Sequence, residues 1–162
     1  MSDTDFLIIG AEARHLDAML ALLPRLADYD NPPRRNAPDL WRHDAEVLKQ
    51  WASGDEQCIV HVAVDDDDDV VGLSVVRLRP ELLSEEPSAH LEALALDKRA
   101  EGKGMAKALL AAAERAAKAE GALTMTLHVF AVNERARRLY ERAGYDGELM
   151  RYIKQLDDVS DA

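Results

Sequence analysis

Apolar positions follow two different spacings along the chain, and these spacings predict the order of its elements. Apolar residues three and four positions apart are typical of amphipathic helices, whereas continuous or alternating β-branched runs are typical of strands. We expect helices over 12–29, 38–52, 103–120 and 134–143, and strands over 6–9, 58–64, 70–78, 89–96, 123–130 and 149–156. Pro24 is expected to interrupt or shorten the first helix, because proline lacks a backbone N–H.

The predicted elements form one continuous series without an internal repeat or linker. This series predicts a single α/β (α+β) domain over residues 1–157, followed by a frayed tail over 158–162. The segment 91–96 is apolar on both faces except at Glu92. We therefore place this strand in the middle of a sheet that is covered on both sides.

The overall charge narrows the classes of partner. The chain has 162 residues and a net charge of −11, which disfavours nonspecific binding to nucleic acid and is compatible with a cationic substrate. No apolar run reaches the roughly 20 residues that cross a bilayer. The N-terminal residues also lack the basic-then-apolar order of a signal peptide. We expect no membrane partner and a cytoplasmic location.

Two features that suggest metal or nucleophile chemistry have simpler interpretations. Cys58 lies in an apolar stretch without a histidine pattern around it, so we interpret it as a core residue. Five consecutive aspartates at 65–69 lack the glycine and terminal glutamate of an EF-hand calcium loop. We interpret them as a solvated hairpin tip and expect no metal site.

A glycine-rich turn follows the strand over 89–96. Gly102 and Gly104 lie just before an alanine-rich helix. Glycines at such a turn leave the first helical N–H groups uncovered, at the positive end of the helix dipole. A phosphate or pyrophosphate is the natural ligand, and a tight turn without a ligand is the alternative. The turn lacks the third glycine of a dinucleotide fingerprint and the Gly-Lys-Ser/Thr of a nucleotide-triphosphate loop.

The segment RAEGKG at 99–104 resembles the Gln/Arg-x-x-Gly-x-Gly/Ala signature of the GNAT superfamily, the acetyl-CoA-dependent N-acetyltransferases. A second segment resembles the pattern Asn-x-x-Ala-x-x-x-Tyr-x-x-x-Gly-Phe/Tyr of the same family. It matches through Asn133, Ala136, Tyr140, Gly144 and Tyr145. The order of elements is also similar over essentially the whole chain. The resemblance implies a mixed, mostly antiparallel sheet of about six to seven strands, flanked by about four helices and splayed centrally to hold CoA.

The resemblance also implies acetyl-CoA as the co-substrate, without a metal. The pyrophosphate would bind backbone N–H groups of the glycine turn, and the pantetheine arm would lie between the strands ending near Leu96 and over 123–130. Family relatives often carry Arg or Gln where Glu101 stands, so we expect the Glu101 side chain to point to solvent. Asn133 is expected to bind the cofactor arm, to cap the last helix, or to do both. The implied CoA-binding residues are Leu94, Ala95, Leu96, Arg99, Glu101, Gly102, Lys103, Gly104, Met105, Ala106, Asn133 and Arg137.

Two catalytic residues are implied by the same resemblance. Tyr140 falls on the position whose phenol protonates the departing thiolate, with a core aromatic as the alternative. Glu92 matches a Leu-Glu-x-x-x-Leu context found in several relatives, including aminoglycoside 6'-N-acetyltransferases, where the glutamate is a candidate base or amine anchor. A structural carboxylate is the alternative for Glu92. His90 and His128 are weaker candidates, and we expect His128 in the core.

The motifs do not identify the acceptor. In this family the acceptor site is built largely from the first helices and their connecting loop, which here is the segment 29–41. Acidic surroundings favour a polyamine or aminoglycoside, whereas Arg34 and Arg35 suit the carboxylate of an amino acid. We expect an N-acetyltransferase that acts on a primary amine of a small molecule or peptide. The alternative is a non-catalytic acyl-CoA sensor, and the sequence is compatible with a homodimer or a monomer.

Overall fold

The computed structural model describes residues 6–158 and 160. Among these, one five-stranded sheet runs in the order β1-β2-β3-β4-β5, and four α-helices flank it. The first four strands are antiparallel, and β5 joins β4 in parallel. The mixed, mostly antiparallel sheet is therefore confirmed. The strands are β1 (Leu7–Gly10), β2 (Ile59–Val64), β3 (Val70–Pro80), β4 (Pro87–Leu96) and β5 (Thr124–Leu127), and the helices are α1 (Leu16–Leu22), α2 (Arg42–Ala52), α3 (Met105–Ala119) and α4 (Glu134–Arg142).

The first helix is shorter than its apolar spacing suggests. α1 ends at Leu22, and the chain continues as a 3₁₀ turn over Leu23–Ala27 that has Pro24 near its start. A second 3₁₀ turn over Ala37–Leu40 precedes α2. These two short turns carry the connection between α1 and α2. None of the helices in the described part of the chain has the length and apolar character that crossing a bilayer requires.

Helices cover both faces of the sheet. On one face, α1 and α2 contribute Met19 and Leu48 to a core that includes Val75 and Ala93. On the other face, α3 packs its buried residues against the sheet, including the paired leucines Leu109 and Leu110. Strand β4 lies between β3 and β5 and is buried along most of its length. Its predicted place in the middle of the sheet is confirmed.

Strand β4 changes its pairing with both neighbouring strands at Leu91 and Glu92. Towards β3, Val75 pairs with Ala93 and Val76 pairs with Leu91, so Glu92 has no cross-strand partner and forms a β-bulge. Towards β5, the ladder ends at the pair of Leu91 and Leu127, although β4 continues to Leu96. Beyond the bulge, β4 therefore has no strand on this edge among the described residues, which is where the family resemblance implied a central opening.

The C-terminal part of the predicted sheet is absent from the described residues. Strand β5 covers only Thr124–Leu127, and residues 145–155 have no regular secondary structure. The prediction of a strand over 149–156 was wrong, and the sheet has five strands rather than six to seven. The apolar residues of this segment do not alternate strictly, and Tyr152 is 84% exposed. Without a neighbouring strand, the β-propensity of such a segment is not sufficient to form a ladder. The predicted frayed tail includes residues 159, 161 and 162, which lie outside the described residues.

Candidate functional site

The glycine turn connects β4 to α3 and leaves the start of α3 open. Gly102 and Gly104 have φ values of +75° and +74°, a left-handed conformation that favours glycine. A Cβ atom added at either position would meet nothing within 4 Å. Gly104 is the N-cap of α3 and supplies no side-chain cap, so the first N–H groups of this 15-residue helix have no capping side chain. This arrangement can receive an anion.

The aspartate run forms the tip of the β2–β3 hairpin, where it was expected. Asp65 Oδ1 accepts hydrogen bonds from the backbone N–H groups of Asp67 and Asp69, each at 3.0 Å. Its other oxygen lies 3.4 Å from Arg99 Nη1. Carboxylate oxygens of Asp65, Asp67 and Asp69 lie within 4.8 Å of one another. The ion pair of Asp65 with Arg99 connects the hairpin tip to the segment just before the glycine turn.

Glu101 does not point to solvent, in contrast to the expectation from the sequence. Its carboxylate forms an ion pair with Arg25 and lies 3.5 Å from Arg135 Nη1, and the side chain is only 28% exposed. Arg25 also donates from Nε to the carbonyl oxygen of Leu96 at 3.0 Å, and it forms an ion pair with Asp28. Arg25 therefore ties the segment after α1 to the end of β4 and to the glycine turn.

Helix α4 contributes two of the predicted donor-site residues. Asn133 is its N-cap, and the side-chain oxygen accepts a hydrogen bond from Ala136 N at 3.3 Å, so the capping role is present. Arg137 donates to the carbonyl of Ala131 at 3.0 Å. Among the arginines of α4, Arg135 is the one with an ion pair to the glycine turn, through Glu101. The α4 arginine among the CoA-binding residues implied by the family resemblance is Arg137, and its role there stays a prediction.

Tyr140 packs where the β4–β5 ladder ends. Its ring belongs to the apolar cluster around Leu91 and Leu127, the last paired residues of the two strands. Burial raises the pKa of the Tyr140 phenol to about 12, so the hydroxyl keeps its proton at neutral pH. No hydrogen bond to this hydroxyl is found in the described part of the chain. The neighbouring Tyr145 ring lies 5.9 Å away, and its hydroxyl donates to Glu114 at 2.8 Å.

Glu92, the bulge residue, is a nearly buried carboxylate. Its side chain is 9% exposed, and Oε1 has no hydrogen-bond partner among the described residues. The nearest cation is Arg77, whose Nη1 lies 3.8 Å away, too far for a hydrogen bond. Arg77 instead donates from Nη2 to Glu56 at 3.0 Å. Glu92 is therefore a buried carboxylate beside Arg77, and its Oε1 accepts no hydrogen bond from the described residues.

A second buried carboxyl group, Asp44 on α2, was missed by the sequence analysis. Asp44 is 8% exposed. Its pKa is raised to about 7, first by burial and then by the negative charge of Glu92. A signal for Asp44 was present, because it occupies the apolar face of α2 between Trp41 and Leu48. A charged residue at such a position is uncommon unless it has a partner or a function.

The other candidate bases and nucleophiles are not activated. His90 is buried, its Nδ1 lies 2.8 Å from Thr126 Oγ1, and burial, with smaller contributions from Arg79 and His128, lowers its pKa to about 4. His128 is exposed and packs at 4.7 Å from the His90 ring, so its predicted core position was wrong. The Cys58 thiol stays protonated, because burial and then Glu56 raise its pKa to about 11. This is consistent with a packing role for Cys58.

The connection between α1 and α2 forms a groove of about 530 Å³. It overlaps the segment in which the acceptor was expected. Arg34 and Arg35 are not part of its wall, so they do not support a carboxylate-bearing acceptor there. The groove is lined by Ala21, Pro24, Arg25, Ala27, Asp28, Ala37, Pro38 and Trp41.

Comparison with known proteins agrees with the motifs. The family model described as the acetyltransferase (GNAT) family matches residues 23–145. An uncharacterized N-acetyltransferase of Bacillus subtilis, YycN, is 40% identical over 77 residues. That match covers 48% of this chain and 48% of YycN, so it spans about half the length of the curated relative.

Solved structures with similar folds cover nearly the whole chain. A ribosomal-protein-alanine N-acetyltransferase from Brucella melitensis has a TM-score of 0.69 at 21% identity, covering 93% of this chain and 99% of its own. The aminoglycoside N-acetyltransferase AAC(6')-Iy, in complex with CoA, has a TM-score of 0.69 at 18% identity, covering 95% and 97%. An acetyl transferase from Pyrococcus furiosus, named as putative, has a TM-score of 0.70 at 21% identity, covering 93% and 99%. At these identities the likeness establishes the fold.

Proposed function

Because the chain belongs to the GNAT acetyltransferase family, we propose that it transfers an acetyl group from acetyl-CoA to a primary amine of a small molecule or peptide by direct attack. The observation that carries the proposal is the end of the β4–β5 ladder at the Glu92 bulge, which leaves the rest of β4 without a strand on that edge among the described residues before the chain enters the glycine turn. The activity is assigned to a single domain over residues 1–157.

The residues present fit acetyl-CoA as the co-substrate. The uncovered N–H groups at the start of α3, from about Gly102 to Ala106, suit a pyrophosphate. The part of β4 beyond Leu91 has no strand on its β5 side among the described residues. Its backbone groups suit the two amides of pantetheine, which would pair there as an added strand does. Arg99 and Lys103 add positive charge beside the turn.

Acetyl transfer requires one proton to leave the amine and another to reach the departing sulfur. The amine nitrogen forms a bond to the acetyl carbon, the carbon–sulfur bond breaks, and the products are an amide and the free CoA thiol. We assign Tyr140 as the donor of the proton to sulfur, because its phenol is protonated at neutral pH and packs where the β4–β5 ladder ends. We assign Glu92 as the acceptor of the amine proton, because it is the bulge residue where the β4–β5 ladder ends and its Oε1 accepts no hydrogen bond among the described residues.

The proposed function is tested by measuring free thiol release from acetyl-CoA against a panel of amines, with CoA binding measured separately by calorimetry. We expect thiol release that depends on the amine. CoA binding without release for any amine would instead support an acyl-CoA sensor. A Glu92→Gln variant with an unchanged pH–rate profile and an unchanged amine KM would remove Glu92 from the mechanism. Longer acyl donors belong in the panel, because the motifs do not fix the length of the acyl chain.

A further inference from the structure

Glu101 places a negative charge next to the residues that would bind the phosphates of CoA. It immediately precedes Gly102, the first glycine of the turn, and its side chain is 28% exposed. Like charges at such short range repel each other, and water screens this repulsion only in part at a half-buried position. A free carboxylate at Glu101 would therefore oppose the binding of a pyrophosphate at the start of α3.

Both oxygens of the Glu101 carboxylate face arginines that come from other elements. Oε1 pairs with Nη2 of Arg25, and Oε2 lies 3.5 Å from Nη1 of Arg135 in the first turn of α4. The two arginines differ in exposure, because the side chain of Arg25 is 23% exposed and that of Arg135 is 75% exposed. Exposed ion pairs contribute little, since water and salt screen them. Arg25 is therefore the main partner of Glu101.

Arg25 is fixed in place through all three nitrogens of its guanidinium group. Nε donates to the carbonyl oxygen of Leu96 at 3.0 Å, Nη1 pairs with Asp28, and Nη2 pairs with Glu101. A planar guanidinium can hold partners in several fixed directions at once, which an ammonium group cannot do. The end of β4 and the segment after α1 thus fix Arg25, and Arg25 fixes the direction of the Glu101 side chain.

We propose that Arg25 is a positioning residue of the donor site, which holds and neutralises Glu101 so that the start of α3 can accept the phosphates of CoA. This proposal rests on the proposed function. It extends the donor site to the segment after α1, which neither sequence motif includes. Arg25 acts on CoA through Glu101 and does not itself contact the phosphates. Without Arg25, the Glu101 carboxylate keeps its charge and gains the freedom to approach them.

The proposal is tested by a double-mutant cycle on CoA binding, measured by calorimetry at low salt. Wild-type protein, Arg25→Gln, Glu101→Gln and the double variant are compared. We expect Arg25→Gln to bind CoA roughly tenfold more weakly than wild type, a coupling of the size found between residues in direct contact. In the Glu101→Gln background the same substitution should change the affinity by less than about twofold, because the charge that Arg25 neutralises is gone. Lys49→Gln removes the cation of an exposed ion pair on α2 and is the control, which should bind CoA as wild type does.

Two results of the cycle would overturn the proposal. Equal weakening in both backgrounds would mean that Arg25 attracts the phosphates directly or only supports the fold. Wild-type affinity in Arg25→Gln would mean that Glu101 does not need to be held. The difference in affinity between wild type and Arg25→Gln should also shrink in high salt, which screens the repulsion between Glu101 and the phosphates. A difference that salt leaves unchanged contradicts the proposal.

Arg25→Lys covers the case in which Arg25→Gln fails to fold. The ammonium group keeps the positive charge but lacks the fork that reaches Leu96, Asp28 and Glu101 together. We expect CoA binding about threefold weaker than wild type, and no weakening in the Glu101→Gln background. Wild-type affinity in Arg25→Lys, or equal weakening in both backgrounds, would overturn the proposal.

The two proposals fail separately. CoA binding with the expected coupling of Arg25 and Glu101, but without thiol release from acetyl-CoA for any amine, would reject acetyl transfer alone. Amine-dependent thiol release without this coupling would reject the role of Arg25 alone.

Discussion

Two neighbouring tyrosines test the proposed proton transfer, because replacing one is expected to reduce turnover and replacing the other is expected to reduce stability. Tyr140 and Tyr145 pack edge to face, with ring centroids 5.9 Å apart. The Tyr145 hydroxyl donates to the Glu114 carboxylate at 2.8 Å, whereas the Tyr140 hydroxyl has no such bond in the described part of the chain. Replacing each tyrosine by phenylalanine removes one oxygen atom and keeps the ring. Comparing the two variants therefore separates a loss of catalysis from a loss of folding stability.

The expected magnitudes follow from these contacts. Tyr140→Phe removes no hydrogen bond, so we expect its free energy of unfolding to stay within about 0.5 kcal/mol of wild type. If the phenol protonates the departing sulfur, kcat falls about 10²–10⁴-fold. Tyr145→Phe loses a hydrogen bond to a charged group, which contributes about 1–2 kcal/mol at a half-buried position. In a domain of this size that loss lowers Tm by roughly 2–8 °C.

The assay is steady-state thiol release with a saturating amine, together with thermal unfolding of both variants. Tyr140→Phe should lose kcat and keep its Tm, while Tyr145→Phe should lose Tm and keep kcat. Because the pKa of Tyr140 is raised to about 12, wild-type kcat should show no alkaline loss from its ionisation near neutral pH. Near-normal turnover in Tyr140→Phe would refute the assignment. Equal loss of kcat in both variants would show that packing, not proton transfer, links the tyrosines to activity.

Three further outcomes are expected. Gly104→Ala places a side chain in a left-handed conformation, so we expect it to lose about 1–2 kcal/mol of stability and also to raise the KM for acetyl-CoA. The control is Gly54→Ala, at φ +84° and away from the turn, which should lose stability in thermal unfolding and keep the wild-type KM. Glu101→Gln removes a negative charge beside the proposed phosphate site, so calorimetry at low salt should show CoA binding up to about fivefold tighter. An unchanged affinity would mean that Glu101 does not repel the phosphates of CoA. Because its pKa is raised, Asp44 is harder to ionise in the folded state than in the unfolded state, so its contribution to the free energy of unfolding should fall by about 2–4 kcal/mol as pH rises from about 4 to about 7. Denaturant titration of Asp44→Asn across this pH range should lack the loss. The same dependence of stability on pH in the variant as in wild type would contradict the prediction.

Much of the fold could be predicted because its signals are local. Apolar spacing located all four helices and the first four strands, and Pro24 marked the end of α1. The glycines of the turn were informative because a left-handed φ restricts the residue type at that position. The segment 149–156 carried no comparable restriction. Strand formation there depends on a partner that local spacing does not specify, and the prediction of a strand was wrong.

Contacts between distant segments account for the remaining errors. Glu101 was expected at the surface because the motif describes only its neighbours in sequence, whereas its partner Arg25 comes from the segment after α1. His128 was expected in the core because it interrupts an apolar run, yet β5 ends at Leu127 and leaves it exposed. In both cases the side-chain environment is set by where another element begins or ends, which local spacing does not determine.

The bulge at Glu92 links the two halves of the proposed site. In a regular strand, Leu91 and Ala93 would face the same side of the sheet. Here Leu91 belongs to the core beneath α3 and Ala93 to the core beneath α1 and α2, so the extra residue changes the face. The same irregularity coincides with the end of the β4–β5 ladder, where acetyl-CoA would enter, and it leaves the Glu92 carboxylate within electrostatic reach of Asp44. One added residue in β4 thus accompanies both the end of the β4–β5 ladder and the burial of the Glu92 carboxylate, and moving the bulge by one position is expected to change both at once.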